Sequence, residues 1–345
     1  MKGYSKKLSD VYVLPLPYLV KELPPLIPHN PLSVVMYVWA LLAKPGPDQH
    51  IHHGELLSPT SCSGVRISDP TSMMELWQQG FFGKGTLSRS EPSWFGRTSR
   101  RLGLDGGELT LEEFTEMRRA KRRAFKKERD LAQQQELAAR MQAEGKSLPD
   151  KLRKALETDI QSEDNVETKV REEDKLLVHG NTIDRVEYLH LDPCEAAFLS
   201  LGLGVLRIDN VAGLPDLLQG LLPTPQIWRE YVVYHYFRSH QWCVRSGVKF
   251  GVDWLLYRKG PPFQHAEFAI MVLDNQAERS WAWLHSNMRV VSSAKKTLMF
   301  VYVEGPRSMP DWSDVGTVQQ FRDVLSEYTV KAITFSRFAP SRNRD

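Results

Sequence analysis

The chain of 345 residues carries a formal net charge of +3, with 41% hydrophobic, 10% aromatic and 25% charged residues. That apolar content excludes a wholly disordered polypeptide, and the length suits two units or one large unit with extensions. The small net charge neither demands nor excludes a nucleic-acid partner, so local clustering has to decide.

Three cysteines, Cys62, Cys194 and Cys243, lie far apart and form no C-x-x-C pair. Neither a disulfide framework nor a cysteine-based zinc site is expected, and a reducing compartment fits. The opening Met1-Lys2-Gly3-Tyr4-Ser5-Lys6-Lys7 runs into proline-broken sequence. No signal peptide and no membrane-spanning helix is expected.

The first hundred residues are rich in Pro, Gly, Trp and Phe and read as ordered but irregular, with one helix after Asn30-Pro31. The stretch Pro31 to Leu42 is apolar yet too short to cross a bilayer, and reads as a buried helix. His50, His52 and His53 follow in a loop with no cysteine nearby to complete a familiar zinc pattern, so no metal site is expected.

At Thr110 the character changes. Thr110-Leu111-Glu112-Glu113 is a capping-box pattern opening a long charged helix, Phe114 to about Ala143, which Gly145 and Pro149 end. Lys151 to Asp174 is charged, lacks aromatics and reads as a mobile linker. The expected organisation is a first region over residues 1–107, a charged helix and linker over 108–175, and a folded domain over 176–345.

In that last region Glu187 to Leu191 reads as a short strand. Asp192-Pro193-Cys194-Glu195 reads as a helix start, with Asp192 as N-cap and Pro193 at the first helical position, and the helix ends around Gly202 to Gly204. A second helix spans Pro225 to Arg238, with Ile227, Tyr231, Tyr234 and Phe237 along one face. The period then changes to two. Val248 to Phe250, Trp254 to Arg258, Ala266 to Leu273, Thr297 to Val303 and Thr329 to Phe335 read as strands, with a short helix around Trp281 to Asn287. The expected class is α+β, mixed α/β, with helices followed by a mixed sheet.

Chemistry concentrates in Leu255-Leu256-Tyr257-Arg258-Lys259-Gly260-Pro261-Pro262-Phe263-Gln264-His265, with Lys295-Lys296 downstream. A phenol, an imidazole and a fixed cation can cleave RNA without a metal. One removes the proton of a ribose 2′-hydroxyl, one protonates the leaving 5′-oxygen, and the third steadies the phosphate charge. Gly260-Pro261-Pro262 stiffens the turn before His265, because each proline fixes its own φ and restricts its predecessor. The plainer alternatives are a surface histidine in a hairpin turn and a solvated lysine pair at a strand end.

The run Val248-Lys249-Phe250-Gly251-Val252-Asp253-Trp254-Leu255-Leu256-Tyr257-Arg258-Lys259-Gly260-Pro261 resembles the nuclease domain of tRNA-splicing endonucleases. A second stretch, Gly80-Phe81-Phe82-Gly83-Lys84-Gly85-Thr86-Leu87-Ser88-Arg89-Ser90-Glu91-Pro92, resembles the N-terminal signature of the eukaryotic catalytic subunit that cuts the 5′ splice site. The resemblance implies Tyr257 as general base, His265 as general acid and Lys296 as the phosphate contact. Strand alternation lets only one lysine of the pair reach the site, and Lys296 keeps the family's spacing to Leu298-Met299. The implied products are a 2′,3′-cyclic phosphate and a 5′-hydroxyl, with no metal and no cofactor.

A free phenol has a pKa of about 10, so Tyr257 needs neighbouring cations to act as a base, or else only orients the hydroxyl. The resemblance places Arg289 to stack on a flipped-out base of the intron bulge, in service of the partner's cut. Trp281 and Trp283 read as core. The basic run Arg118 to Arg129 could track phosphates or direct nuclear import, against a plain solvated helix face.

The implied partners are intron-containing pre-tRNA, a second catalytic subunit and two structural subunits in a heterotetramer. Val330 to Phe338 is the expected interface edge, and the acidic Met309-Pro310-Asp311-Trp312-Ser313-Asp314 loop is expected to dock on a basic surface. The expected location is the nucleus, or alternatively the cytosolic face of the mitochondrial outer membrane. The competing functions are a non-catalytic scaffold or RNA-binding subunit of the same complex, and the subunit cutting the 3′ site.

Overall fold

The computed structural model describes residues 8–20, 23–43, 48–58, 64–101, scattered positions over 119–129, 178–179, 182–274, 278–306 and 308–336. The chain forms two compact units. One joins residues 1–92 to 188–345, and the other spans 93–187. The expected boundaries near 107 and 175, the Thr110 capping box and the Lys151 to Asp174 linker lie outside the described residues.

The larger unit begins with α1 (Leu8–Val11) and α2 (Pro31–Ala43). The expected helix after Asn30 is present, but it is not buried. Of its described side chains only those of Ser33 and Ala40 are covered, while Trp39 is 61% and Leu42 79% exposed. Apolar composition all round the helix suggested a core position, but within this unit almost nothing packs against it.

Next come β1 (His52–Leu56), β2 (Val65–Ile67), α3 (Pro70–Gln78) and β3 (Lys84–Gly85). Asp69 caps α3 by accepting from the Ser72 N–H at 2.8 Å, with Pro70 at the first turn. These short strands correct the expectation of an irregular N-terminal region. Too brief to alternate clearly, they pair with strands more than a hundred positions away.

In the smaller unit α4 (Trp94–Arg101) accompanies the antiparallel pair β4 (Val178–His179) and β5 (Thr182–Ile183). Glu187 accepts from the Trp94 N–H at 2.9 Å, and Arg185 lies 4.4 Å from the Phe95 ring centre. The described positions over 119–129 are helical and exposed.

The larger unit resumes with β6 (Leu189–Leu191), α5 (Pro193–Ala197) and β7 (Leu206–Ile208). The first sheet has the order β3-β6-β2-β1-β7, antiparallel except where β1 runs parallel to β7. The capping box read from Asp192 and Glu195 is formed. A π-helical turn, Phe198–Leu203, continues α5 and stops at Gly204 in the left-handed region, where the sequence placed the end.

Two further helices, α6 (Leu214–Leu221) and α7 (Pro225–Ser239), build the main core. In α7 Trp228, Tyr231, Tyr234 and Phe237 are buried, and the Thr224 hydroxyl caps its first turn.

The second sheet holds β8 (Cys243–Ser246), β9 (Trp254–Tyr257), β10 (Phe268–Leu273), β11 (Thr297–Glu304) and β12 (Thr329–Phe335), ordered β12-β11-β10-β9-β8. Helix α8 (Trp281–Ser293) joins the parallel pair β10 and β11, and α9 (Val318–Ser326) precedes the edge strand β12. The fold is α+β.

Three local expectations are corrected. Val248–Phe250 is a 3-10 turn between Gly247 and Gly251, the latter at φ 69, and the strand of that hairpin is β8 instead. Helix α8 runs six residues beyond Asn287, to Ser293. The strand read from Ala266 begins only at Phe268: the chain bends before β10, and Ala266 joins the opposite cluster from Phe268, Ile270 and Val272. Phe268, Ile270, Met299 and Val301 face the α7 core, whereas Leu255, Ala269, Leu298 and Phe300 face α8.

Candidate active site

Register places Tyr257 and Lys296 at one end of the second sheet, with His265 in the segment just before β10. The Glu267 N–H donates to the Leu256 carbonyl at 2.9 Å, and its own carbonyl accepts from the Thr297 N–H at 2.9 Å. One residue therefore pins the end of β9 beside the start of β11. Tyr257 and Lys296 flank it, two strand spacings or roughly 10 Å apart. Tyr257 and Phe250 both pack against the cluster under α8, and the Lys296 ammonium lies 4.6 Å from the centre of the Phe250 ring. The two functional groups thus share the α8 face.

His265 is exposed in the segment just before β10. The turn leading to it depends on Gly260, whose φ of 116 is hostile to any side chain, and a Cβ there would lie 2.1 Å from the Phe81 ring. The Phe263 and Gln264 N–H groups both donate to the Gly260 carbonyl. Tyr12 packs against the rings of both Phe81 and Phe263. The stiffness expected from Pro261 and Pro262 is thus joined by an aromatic wedge.

The helix α8 delivers the lysine pair. Its last turn accepts the Lys295 and Lys296 N–H groups on Ser292 and Val291, and Lys295 turns out through a left-handed φ of 54. Lys295 is exposed, while Lys296 is half-buried and donates to the Ala294 carbonyl at 3.2 Å. A cation at a helix C-terminus is favoured by the dipole. Arg289 is exposed on α8. Trp281 is exposed, against expectation, whereas Trp283 packs on Phe300 at 5.6 Å between ring centres.

Burial pushes the Tyr257 phenol above its ordinary range, and Arg245 pulls only partly against it. The carboxylate of Glu267, held by Arg258 at 3.7 Å and by Gln264 at 3.3 Å, is a further charge at this end of the sheet. The sequence reading did not include it.

Nor did that reading include the supports of the Gly80 to Gly83 segment. Buried Arg238 donates to the Gly80 carbonyl at 2.9 Å and to the Tyr234 hydroxyl at 2.9 Å. Arg245 donates to the Phe81 and Gly83 carbonyls and pairs with Glu195 at 3.1 Å. Glu195 in turn accepts from the Gly83 N–H at 3.0 Å. A buried carboxylate with one guanidinium and two N–H donors is fully engaged, the condition under which burying charge is tolerable. The signature segment is therefore a built-in brace for Tyr257 and the His265 turn. The only sequence signal for it was the glycine- and phenylalanine-rich run itself.

The histidines at the N-terminal sheet separate. His53 pairs with Asp209 at 3.0 Å, while His50 contacts Glu75 at 2.5 Å. His52 is buried, which with the neighbouring His50 lowers its pKa to about 4. A cavity of about 590 Å³ lies elsewhere, between the Pro306–Val315 loop and α9, and is lined by Asp311, Asp314, Asp323 and Glu327.

The family described as tRNA intron endonuclease, catalytic C-terminal domain, matches residues 227–309, a span that contains Tyr257, His265, Arg289 and Lys296. Over its whole length the chain is 37% identical to the whole of the tRNA-splicing endonuclease subunit SEN2 of Saccharomyces cerevisiae. It is 34% identical, over 98% of its length, to the whole of the probable tRNA-splicing endonuclease subunit sen2 of Schizosaccharomyces pombe. The tRNA-splicing endonuclease subunit Sen2 of Mus musculus is 35% identical over 49% of this chain and 38% of its own. The chain belongs to the tRNA-splicing endonuclease subunit Sen2 family, a family of RNA endonuclease subunits.

Proposed function

We propose that this chain is the catalytic subunit that cuts intron-containing pre-tRNA at the 5′ splice site. The observation that carries the reading is that Tyr257 and Lys296 flank Glu267 at one end of the second sheet, with exposed His265 two residues before it. Tyr257 takes the proton of the 2′-hydroxyl, whose oxygen attacks the adjacent phosphorus. The P–O5′ bond breaks, His265 gives its proton to the departing 5′-oxygen, and Lys296 swings from the Ala294 carbonyl to the equatorial phosphate oxygens. The products are a 2′,3′-cyclic phosphate and a 5′-hydroxyl. The nucleophile, proton donor and acceptor are all accounted for without an added group.

Arg289, solvent-exposed on α8, stacks on a flipped base of the bulge. A second catalytic subunit and two structural subunits complete a heterotetramer. The unpaired edge of β12, with Ile333 half-exposed, is its strand-pairing surface. The acidic groove at Asp311 and Asp314 receives a basic partner. The nucleus is the proposed location. Among the described residues no helix is long and apolar enough to cross a membrane. The alternative location is the cytosolic face of the mitochondrial outer membrane, with a partner providing the attachment.

The test is pre-tRNA cleavage by reconstituted complex carrying His265→Ala. Loss of cutting at the 5′ junction with the 3′ junction still cut is the expected result. Loss at the 3′ junction alone would reassign the subunit, and undiminished cutting at both would make it a scaffold.

A further inference from the structure

We propose that His50, His52 and Glu75 form a binding site for a divalent transition-metal ion of the zinc class, set apart from the RNA-cleaving groups. One donor atom from each of the three residues lies within 4.8 Å of the others. Two imidazoles and one carboxylate are a recurrent zinc donor set, leaving a fourth position for water, and such an ion sits about 2.0–2.2 Å from each ligand. Small rotations of exposed His50 and half-exposed Glu75 bring the three into that range.

The local chain explains the convergence. His50 and His52 are two positions apart where the chain enters β1, so both side chains fall on one side of an extended segment, and His53 falls on the other. Their rings stand 4.7 Å apart, edge to face. His53 instead contacts Asp209, which removes it from the set. Glu75 comes from the second turn of α3 and already meets Nδ1 of His50 at 2.5 Å.

The buried member supplies the independent observation. His52 is 2% exposed, and its Nδ1 is buried without a hydrogen-bond partner among the described residues. A polar atom so placed is costly unless something engages the ring. Asp69, the N-cap of α3, is electrostatically coupled to both His50 and His52 and adds negative charge beside the cluster. An arriving dication meets two imidazoles and two carboxylates.

The consequence is mechanical. The ion would clip the start of β1 to α3, and the far end of α3 runs through Gln79 into Gly80 and Phe81, the wedge behind Gly260 and Tyr257. Its effect is read as stability and metal content rather than as a chemical step.

The experiment uses the full-length chain freed of any affinity tag. After dialysis against zinc and then metal-free buffer, elemental analysis is expected to give one zinc per chain. Cobalt substitution should give the visible bands of a tetrahedral site. Glu75→Gln and His50→Gln, both at accessible positions, should each weaken zinc binding at least tenfold. His53→Gln should leave it unchanged. Saturating zinc should raise the thermal midpoint of the wild type by about 5 °C and that of Glu75→Gln by none. Wild-type protein that keeps no zinc, or equal zinc content in wild type, Glu75→Gln and His50→Gln, would overturn the proposal.

Discussion

On one face of the second sheet α7 packs Trp228 against Tyr231, Trp312 and Phe321, and Tyr234 against Trp254. On the other face α8 buries only Val291 fully, with Trp283, Leu284 and Met288 half-covered. The heavily packed face carries no group of the proposed reaction. The lightly packed face carries Tyr257 and Lys296 at its open end. One sheet therefore separates stability from chemistry by side: the α7 face fixes the strands, and the strands then hold half-buried functional groups at their open end. Such a division should be visible as mutations that change one property and spare the other.

The largest expected effect is on the chemical face. His265→Ala should lower 5′-junction cleavage in single-turnover assays by about 100- to 10,000-fold, the usual worth of a general acid. Because His265 is exposed, the thermal midpoint should stay where it was. A parallel loss of stability would break the division. The same variant tests Tyr257. Its phenol is raised above the ordinary value, so below that pKa only a small phenolate fraction exists, and the fraction grows with pH. With the acid removed, the residual rate should climb about tenfold per pH unit between about pH 6 and 9. Adding Tyr257→Phe should flatten the slope. A flat profile with Tyr257 intact would assign it to orienting the hydroxyl.

The packed face answers next. Trp228→Ala opens a cavity among four aromatic neighbours and should cost about 3–5 kcal/mol in urea unfolding. Cleavage per folded molecule should hardly change. Gly260→Ala falls between the two faces. A side chain at φ 116 and 2.1 Å from Phe81 should cost about 1–3 kcal/mol, and cleavage should fall further than that loss explains because the His265 turn moves. Adding Phe81→Leu, which relieves the clash, should restore part of both.

Legibility in the sequence follows the same divide. Helix α7 announces itself because Trp228, Tyr231, Tyr234 and Phe237 recur at helical spacing, and β9 to β11 because they are largely apolar runs of four to eight residues. The capping box at Asp192 is a local signal, and it is formed. By contrast β8, Cys243-Val244-Arg245-Ser246, is half polar, and its Arg245 turns inward to serve Phe81, 164 positions away. No window of sequence contains both partners. The first sheet fails for the same reason, its strands of two to five residues being gathered from positions 52 to 208. The proposed roles of Tyr257, His265 and Lys296 come from family likeness, whereas the contacts of Glu267, Arg238, Arg245 and the Phe81 wedge are visible only in the fold.

Helix α2 extends the comparison to its weakest case. It is as apolar as any segment of the core, yet Leu32, Val35, Trp39 and Leu42 are all more than half exposed. Composition records an affinity for apolar surroundings, and burial requires a partner within reach. Since Trp39 is 61% exposed among the described residues, Trp39→Ala should shift unfolding of the isolated chain by no more than about 0.5 kcal/mol, against several for Trp228→Ala. Both are tryptophans on helices, so the change in chemistry is the same and only the surroundings differ. A loss above about 2 kcal/mol would mean that α2 packs against its own chain, and the contrast between exposed and buried apolar helices would no longer hold.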